Sequence, residues 1–171
     1  MGLLGETKPV KKPILGVSLY PEQESMEEIE NYLTMASRYG FTKIFTRMFS
    51  VPGTKEEVFD YFKNFCDLAH KHGMKVSGDC NTAFFKKMGA SESDISIFKE
   101  MGIDIIRMDL PYFDQRDVTL INNPYNITIE LSSCMIQAVR MALENGANPK
   151  NFSTCHNFYP ERYTASDLES I

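Results

Sequence analysis

Gly40, Gly73, Gly102 and Gly146 each close a helix-length amphipathic stretch and are followed within a few residues by a strand-length run. A glycine just past a helix end supplies left-handed backbone that other residues resist, so these four positions read as stops. Two of the helices also mark their starts. Ser25 with Glu28, and Thr54 with Glu57, have the spacing of a capping box. The chain therefore reads as strands over 14–20, 43–49, 74–79, 103–109, 126–131 and 151–155. Helices are predicted over about 26–39, 54–72, 91–101 and 133–145, with a short helical turn over about 82–88. The segment after the fourth strand reads as a long polar loop. Alternation of this kind argues for parallel strands joined by helical crossovers.

Two parallel architectures compete, an open flavodoxin-like sheet and a (β/α) barrel. No G-x-G-x-x-G follows the first strand and no Walker A sequence occurs, so a nucleotide-binding Rossmann or P-loop domain has little support. Strand parity favours the barrel. Ile127, Ile129 and Leu131 share one face of the fifth strand, against Asn126, Thr128, Glu130 and Ser132 on the other. The third strand sets Met74 and Val76 against Lys75, Ser77 and Asp79, and the first sets Leu15, Val17 and Leu19 against Gly16, Ser18 and Tyr20. A strand covered by helices on both faces would be apolar throughout. The expected fold is α/β, a TIM-type (β/α) barrel with about six of the eight units, and so incomplete. In domain terms this is a leader over 1–13 and a partial barrel over 14–171.

Composition excludes several function classes. A net charge of −5 with no basic block leaves no electrostatic footprint for nucleic acid. Cys66, Cys80, Cys134 and Cys155 are far apart and form no C-x-x-C pair, which points to reduced thiols and away from structural zinc. No apolar run approaches membrane-spanning length, and residues 1–12 carry no signal-peptide core. No cofactor and no metal are expected. Phe59, Phe62, Phe65 and Leu68 have helical spacing and read as core.

The runs Leu15-Gly-Val-Ser-Leu-Tyr-Pro21 and Tyr39-Gly-Phe-Thr-Lys-Ile-Phe-Thr46 carry a family resemblance. So do Gly102-Ile-Asp-Ile-Ile-Arg-Met-Asp109, Ile129-Glu-Leu131 and His156-Asn-Phe-Tyr-Pro160. In this order and register they resemble the MupG-like 6-phospho-N-acetylmuramidase family, over about residues 14–168. The resemblance implies a TIM-type barrel followed by a smaller cyclophilin-like domain. It also implies cytoplasmic hydrolysis of a 6-phosphorylated N-acetylmuramyl glycoside during cell-wall recycling. The chain departs from the pattern in ending before strands seven and eight, in Ser132 where the family has Asn, and in Ala165 where it has Gly.

Glycoside cleavage calls for two carboxyl groups, one acid and one base or nucleophile. Asp79, Asp109 and Glu130 are the catalytic candidates, each near a strand end and on the inward face by parity. Neighbouring strand ends lie roughly 5 Å apart and alternate ones roughly 10 Å. Asp109 with Glu130 would suit a retaining enzyme and Asp79 with Glu130 an inverting one. Asp109 has a structural alternative, an ion pair with Arg107.

Arg47 and Arg107 are candidate binders of a phosphate or lactyl carboxylate, because guanidinium presents a planar fork. The plain alternative for Arg47 is to balance a neighbouring carboxylate. His156 and Asn157 could hydrogen-bond sugar hydroxyls, Tyr159 could stack on a sugar ring, and Tyr20 and Glu22 sit where the first strand exits. His70 and His72 read as electrostatic caps of a helix end. The expected partner is a small phosphosugar, with neither nucleic acid nor membrane, and with room for self-association or completion of the barrel by another chain. The alternative to a hydrolase is a non-catalytic phosphosugar-binding or vestigial barrel. Schiff-base aldolase chemistry is disfavoured, since Lys75 lies too early in its strand to reach the site.

Overall fold

The two capping boxes form as their spacing requires. Ser25 Oγ accepts the Glu28 N–H while a Glu28 carboxylate oxygen accepts the Ser25 N–H at 2.8 Å, opening α1 (Met26–Arg38). Thr54 and Glu57 repeat the arrangement at the start of α2 (Lys55–Lys71). The hydrogen bonds from Ser25 and Thr54 hold both carboxyls below their ordinary range. This computed structural model describes residues 13–108, 114–132 and 136–155.

Among these residues six strands are joined by six α-helices, two of which lie between the third and fourth strands. The strands are β1 (Gly16–Ser18), β2 (Lys43–Arg47), β3 (Lys75–Asp79), β4 (Ile105–Met108), β5 (Thr128–Ser132) and β6 (Phe152–Cys155). The remaining helices are α3 (Thr82–Lys87), α4 (Ser96–Met101), α5 (Gln115–Ile121) and α6 (Ile136–Glu144). The strands lie in the order β1-β2-β3-β4-β5-β6 and every neighbouring pair is parallel. A doubly wound sheet reverses its strand order part-way. Strictly sequential order is what winding a barrel produces.

One contact shows that the sheet curls. Lys43 on β2 reaches Glu130 on β5 at 2.7 Å. Three strand spacings of a flat sheet come to roughly 14 Å, with both side chains standing off the surface. The two meet because the inward face is concave. Six parallel strands thus form a curled half-barrel with helices outside.

The convex face supplies the core. Ile44, Val76, Ile106 and Ile129, one from each of the four central strands, are fully buried. Against them pack Ile29 and Leu33 of α1 and Val58, Phe62, Phe65 and Ala69 of α2, spaced as one helix face demands. Gly102 ends α4 at φ 90°, and a Cβ there would stand 2.9 Å from that of Cys66. Glycine is required at this point both by the left-handed turn and by the close approach of α2.

Several boundaries differ from the sequence reading. α4 begins at Ser96 and not near Ser91, because Ser91 and Asp94 exchange backbone hydrogen bonds and Asp94 Oδ1 then accepts the Ser96 N–H. β5 begins at Thr128 because Asn126 holds φ 59°, a left-handed conformation that breaks a strand. The polar loop after β4 contains α5, capped by Asp114, with Val118, Leu120 and Ile121 buried. His70 ends up as the partner of Asp104 at 2.9 Å, with His72 as the C-cap residue of α2.

Asn123 ties the segment between α5 and β5 together. Its buried amide donates to the Leu120 and Ile127 carbonyls and accepts from the Tyr125 and Ile127 N–H groups. Asn123→Ala leaves the Tyr125 and Ile127 N–H groups without this acceptor and is expected to cost about 1–3 kcal/mol. A fall in urea midpoint with unchanged slope measures this, and an unchanged midpoint removes the claim.

Candidate active site

Register places Arg47 beside Asp79, Asp79 beside Arg107, and Arg107 beside Glu130. Partners in a parallel register project from the same face, so β2 to β5 carry one row of alternating positive and negative side chains. The row faces the concave side, as the Lys43–Glu130 contact establishes. Inward positions are only half-buried along β2, β4 and β6, while their outward neighbours on β2 and β4 are fully covered. Sequence parity read this face correctly because side-chain direction along a strand needs no tertiary information.

Arg107 is the centre of the row. Its Nη1 lies 3.7 Å from Asp79, its Nη2 donates to Ser132 Oγ at 3.0 Å, and its guanidinium sits 5.3 Å from the Phe45 ring centre. Phe45 is on β2, two strands away, so this contact also depends on curvature. The described partners of Arg107 are thus Asp79, Ser132 and Phe45. Asp109, the partner expected from sequence, lies outside the described residues.

Glu130 sits differently from its expected place at a strand tip. It is the central residue of β5, 9% exposed, and its carboxylate is engaged by the Lys43 ammonium at the first residue of β2. Opposite charge on the concave floor holds the side chain there. Arg47, at the end of β2, is 3.5 Å from Glu22 and has Tyr20 and Phe49 at 5.5 and 5.6 Å from its guanidinium carbon. Tyr61 of α2 donates to the Pro21 carbonyl at 3.0 Å and so steadies the 3₁₀ turn (Pro21–Gln23) that carries Glu22. Desolvation, with a smaller contribution from Glu22, pushes the Tyr61 phenol up to about 12.

A cavity of about 220 Å³ opens at the ends of β3 and β4, lined by Phe49, Asp79, Cys80, Asn81, Thr82 and Met108. Cys80 offers no thiolate to it, because burial, reinforced by the charge of Asp79, pushes its thiol up. The polar groups facing this space suit a hydroxylated, charged ligand. Sequence reasoning named Tyr20, Arg47, Asp79, Arg107 and Glu130, and the structure brings these five onto the concave face and its rim. It adds Lys43, Phe45 and Ser132, whose signal was the same strand parity that singled out Glu130. His156, Asn157 and Tyr159 lie outside the described residues. Among the described residues no group of three or more His, Cys, Asp or Glu is arranged to hold a metal, and no helix is long and apolar enough to cross a membrane.

Residues 15–171 match the family described as 6-phospho-N-acetylmuramidase, N-terminal. The chain belongs to that family. Among solved structures, it is similar to an uncharacterized B. cereus protein at 33% identity and a TM-score of 0.70, covering 90% of this chain and 41% of that one. A conserved Enterococcus faecalis protein of unknown function is 19% identical with a TM-score of 0.69, over 92% of this chain and 44% of that one. The chain therefore spans less than half the length of these two relatives. A more distant likeness, to thiamine phosphate pyrophosphorylase from Pyrococcus furiosus, extends over 86% of this chain and 62% of that one. At 16% identity and a TM-score of 0.51 it speaks to the TIM-barrel fold alone. No curated protein matches the chain.

Proposed function

We propose that the protein acts in the cytoplasm as a glycoside hydrolase on 6-phosphorylated N-acetylmuramyl glycosides, in the recycling of cell-wall material. The observation that carries this reading is family membership over residues 15–171, joined to the charged row that spans the concave floor. Asp79 and Glu130 stand two strands apart, roughly 10 Å at the backbone. That separation approaches the range in which a water fits between acid and base, the inverting arrangement. Glu130, paired with Lys43, suits the base, and proton donation to the leaving oxygen falls to Asp79 in this arrangement. Arg107, fixed between Asp79, Ser132 and Phe45, offers its guanidinium to substrate oxygens, with His156, Asn157 and Tyr159 proposed as further sugar contacts.

A second reading has its own support. Both described inward carboxylates already have cationic partners, Asp79 with Arg107 and Glu130 with Lys43. A floor neutralised in this way fits a barrel that binds a phosphosugar without cleaving it.

The test is incubation of the full protein with the 6-phosphorylated muramyl–glucosaminyl disaccharide and its unphosphorylated counterpart. Mass spectrometry reads release of N-acetylmuramic acid 6-phosphate, and calorimetry reads binding. Release from the phosphorylated substrate alone is the expected result. Binding without release moves the assignment to the second reading, and neither binding nor release sinks both.

A further inference from the structure

We infer that Arg47 is a pre-organised receptor for one terminal oxyanion of the ligand, a carboxylate or a phosphate, and that Glu22 occupies it until the ligand arrives. The inference rests on the proposed function for the identity of the sugar and on the structure for the receptor.

Arg47 ends β2 on the inward face, beside Asp79 in register. The Tyr20 and Phe49 rings lie 5.5 and 5.6 Å from its guanidinium carbon, close enough for both to restrain the plane of the fork. A guanidinium carries five N–H donors. Among the described residues, Glu22 Oε1 at 3.5 Å is the one hydrogen-bond acceptor Arg47 has, and its Nε is buried without any. A contact at that distance is at the outer limit of a hydrogen bond and uses one nitrogen of the fork. Salt-bridging arginines reach their strength through two short, parallel bonds. Arg47 therefore holds a carboxylate loosely and in one-point fashion, with most of its donor capacity unused.

Glu22 is built to be displaced. It sits on a three-residue 3₁₀ turn outside the sheet that Tyr61 holds through Pro21, and among the described residues the hydrogen bond of its carboxylate is the long one to Arg47. The Arg47 side chain stays 43% exposed, so an incoming anion can reach it from solvent. Two-point binding of an oxyanion would replace the long contact to Glu22, and the flanking rings would cover the apolar edge of a sugar. Neutral glycosides offer the fork only uncharged single acceptors, which makes Arg47 a specificity determinant more than a source of general affinity.

Titration calorimetry of the full protein tests this with three probes: inorganic phosphate, N-acetylglucosamine 6-phosphate, which lacks the lactyl group, and N-acetylmuramic acid, which lacks the phosphate. Whichever sugar loses affinity in Arg47→Ala carries the anion that Arg47 reads. The expected loss is about 10- to 100-fold, with Arg47→Lys weakened less because the charge remains without the fork. Glu22→Gln removes the internal competitor and is expected to tighten the same probe several-fold. That second variant keeps the test decisive if Arg47→Ala does not fold. Unchanged affinity for every probe in Arg47→Ala, a Glu22→Gln variant that binds no tighter, or no binding by any probe overturns the inference. Arg47-dependent binding of phosphate with neither sugar bound preserves the receptor and removes the muramyl reading. Sugar binding that ignores Arg47 does the reverse.

Discussion

On the proposed hydrolase reading, Glu130→Gln is expected to lower cleavage of a 6-phosphorylated N-acetylmuramyl glycoside about 100- to 10,000-fold, the range for loss of a general acid or base. The substitution preserves size and leaves an amide oxygen for the Lys43 ammonium, so it removes the charge without opening a hole. The Glu130 side chain is 12% exposed, whereas that of Lys43 keeps 26% of its surface. Water can therefore solvate the cation that loses its partner, and the stability cost should stay near 1 kcal/mol or below. The measurement is kcat on the phosphorylated substrate beside a thermal melt of both proteins. Turnover at the wild-type rate removes Glu130 from the chemistry. A collapsed melt would instead make the Lys43 pair a structural device, and the activity loss would then say nothing about catalysis.

Phe62→Ala is expected to have the largest effect on folding. Phe62 is fully buried on the inner face of α2 and meets Tyr61, Phe65 and Phe84 edge-on, at ring-centre distances of 5.6, 6.3 and 6.5 Å. Truncating a buried Phe to Ala costs about 3–5 kcal/mol, from lost transfer energy and the cavity left behind. A domain has only about 5–15 kcal/mol in total. For a chain of this size the melting temperature should fall by about 6–20 °C. Met35→Ala is the matched control, on α1 but 51% exposed, and should stay within about 0.5 kcal/mol of wild type. A Phe62 variant as stable as that control would mean that the aromatic cluster is not the core of this half-barrel.

The elements that could be read from residue order share a physical property: the interactions that form them close within a few positions. Ser25 finds Glu28 and Thr54 finds Glu57 three residues on, inside one helical turn. Gly40, Gly73, Gly102 and Gly146 take positive φ where each helix stops, and that preference belongs to the glycine alone. Inward and outward faces of the strands were legible for the same reason, since alternation is a property of extended backbone. Where reading failed, the local signal was short or contradictory. α5 is two turns long in a polar stretch, and its one marker was Asp114 ahead of Val118 and Ile121. Asn126 lies in a run that alternates like a strand, yet its left-handed backbone delays β5 to Thr128.

Site geometry divides along the same line. Residue order alone determined which side chains share the concave face, because parity settles that strand by strand. It did not determine their partners. Glu130 meets Lys43 from 87 positions away and across three strand spacings. Arg107 turns to Asp79, Ser132 and Phe45 on three different strands. Asp79 and Ser132 reach Arg107 from the strands on either side of it, whereas the Lys43–Glu130 and Arg107–Phe45 contacts exist because the sheet curls, and curl is a sum of small twists between neighbouring strands that no single segment carries. Local chemistry thus specified the elements and their faces, and only the pairing and curvature of the assembled sheet decided which charges meet.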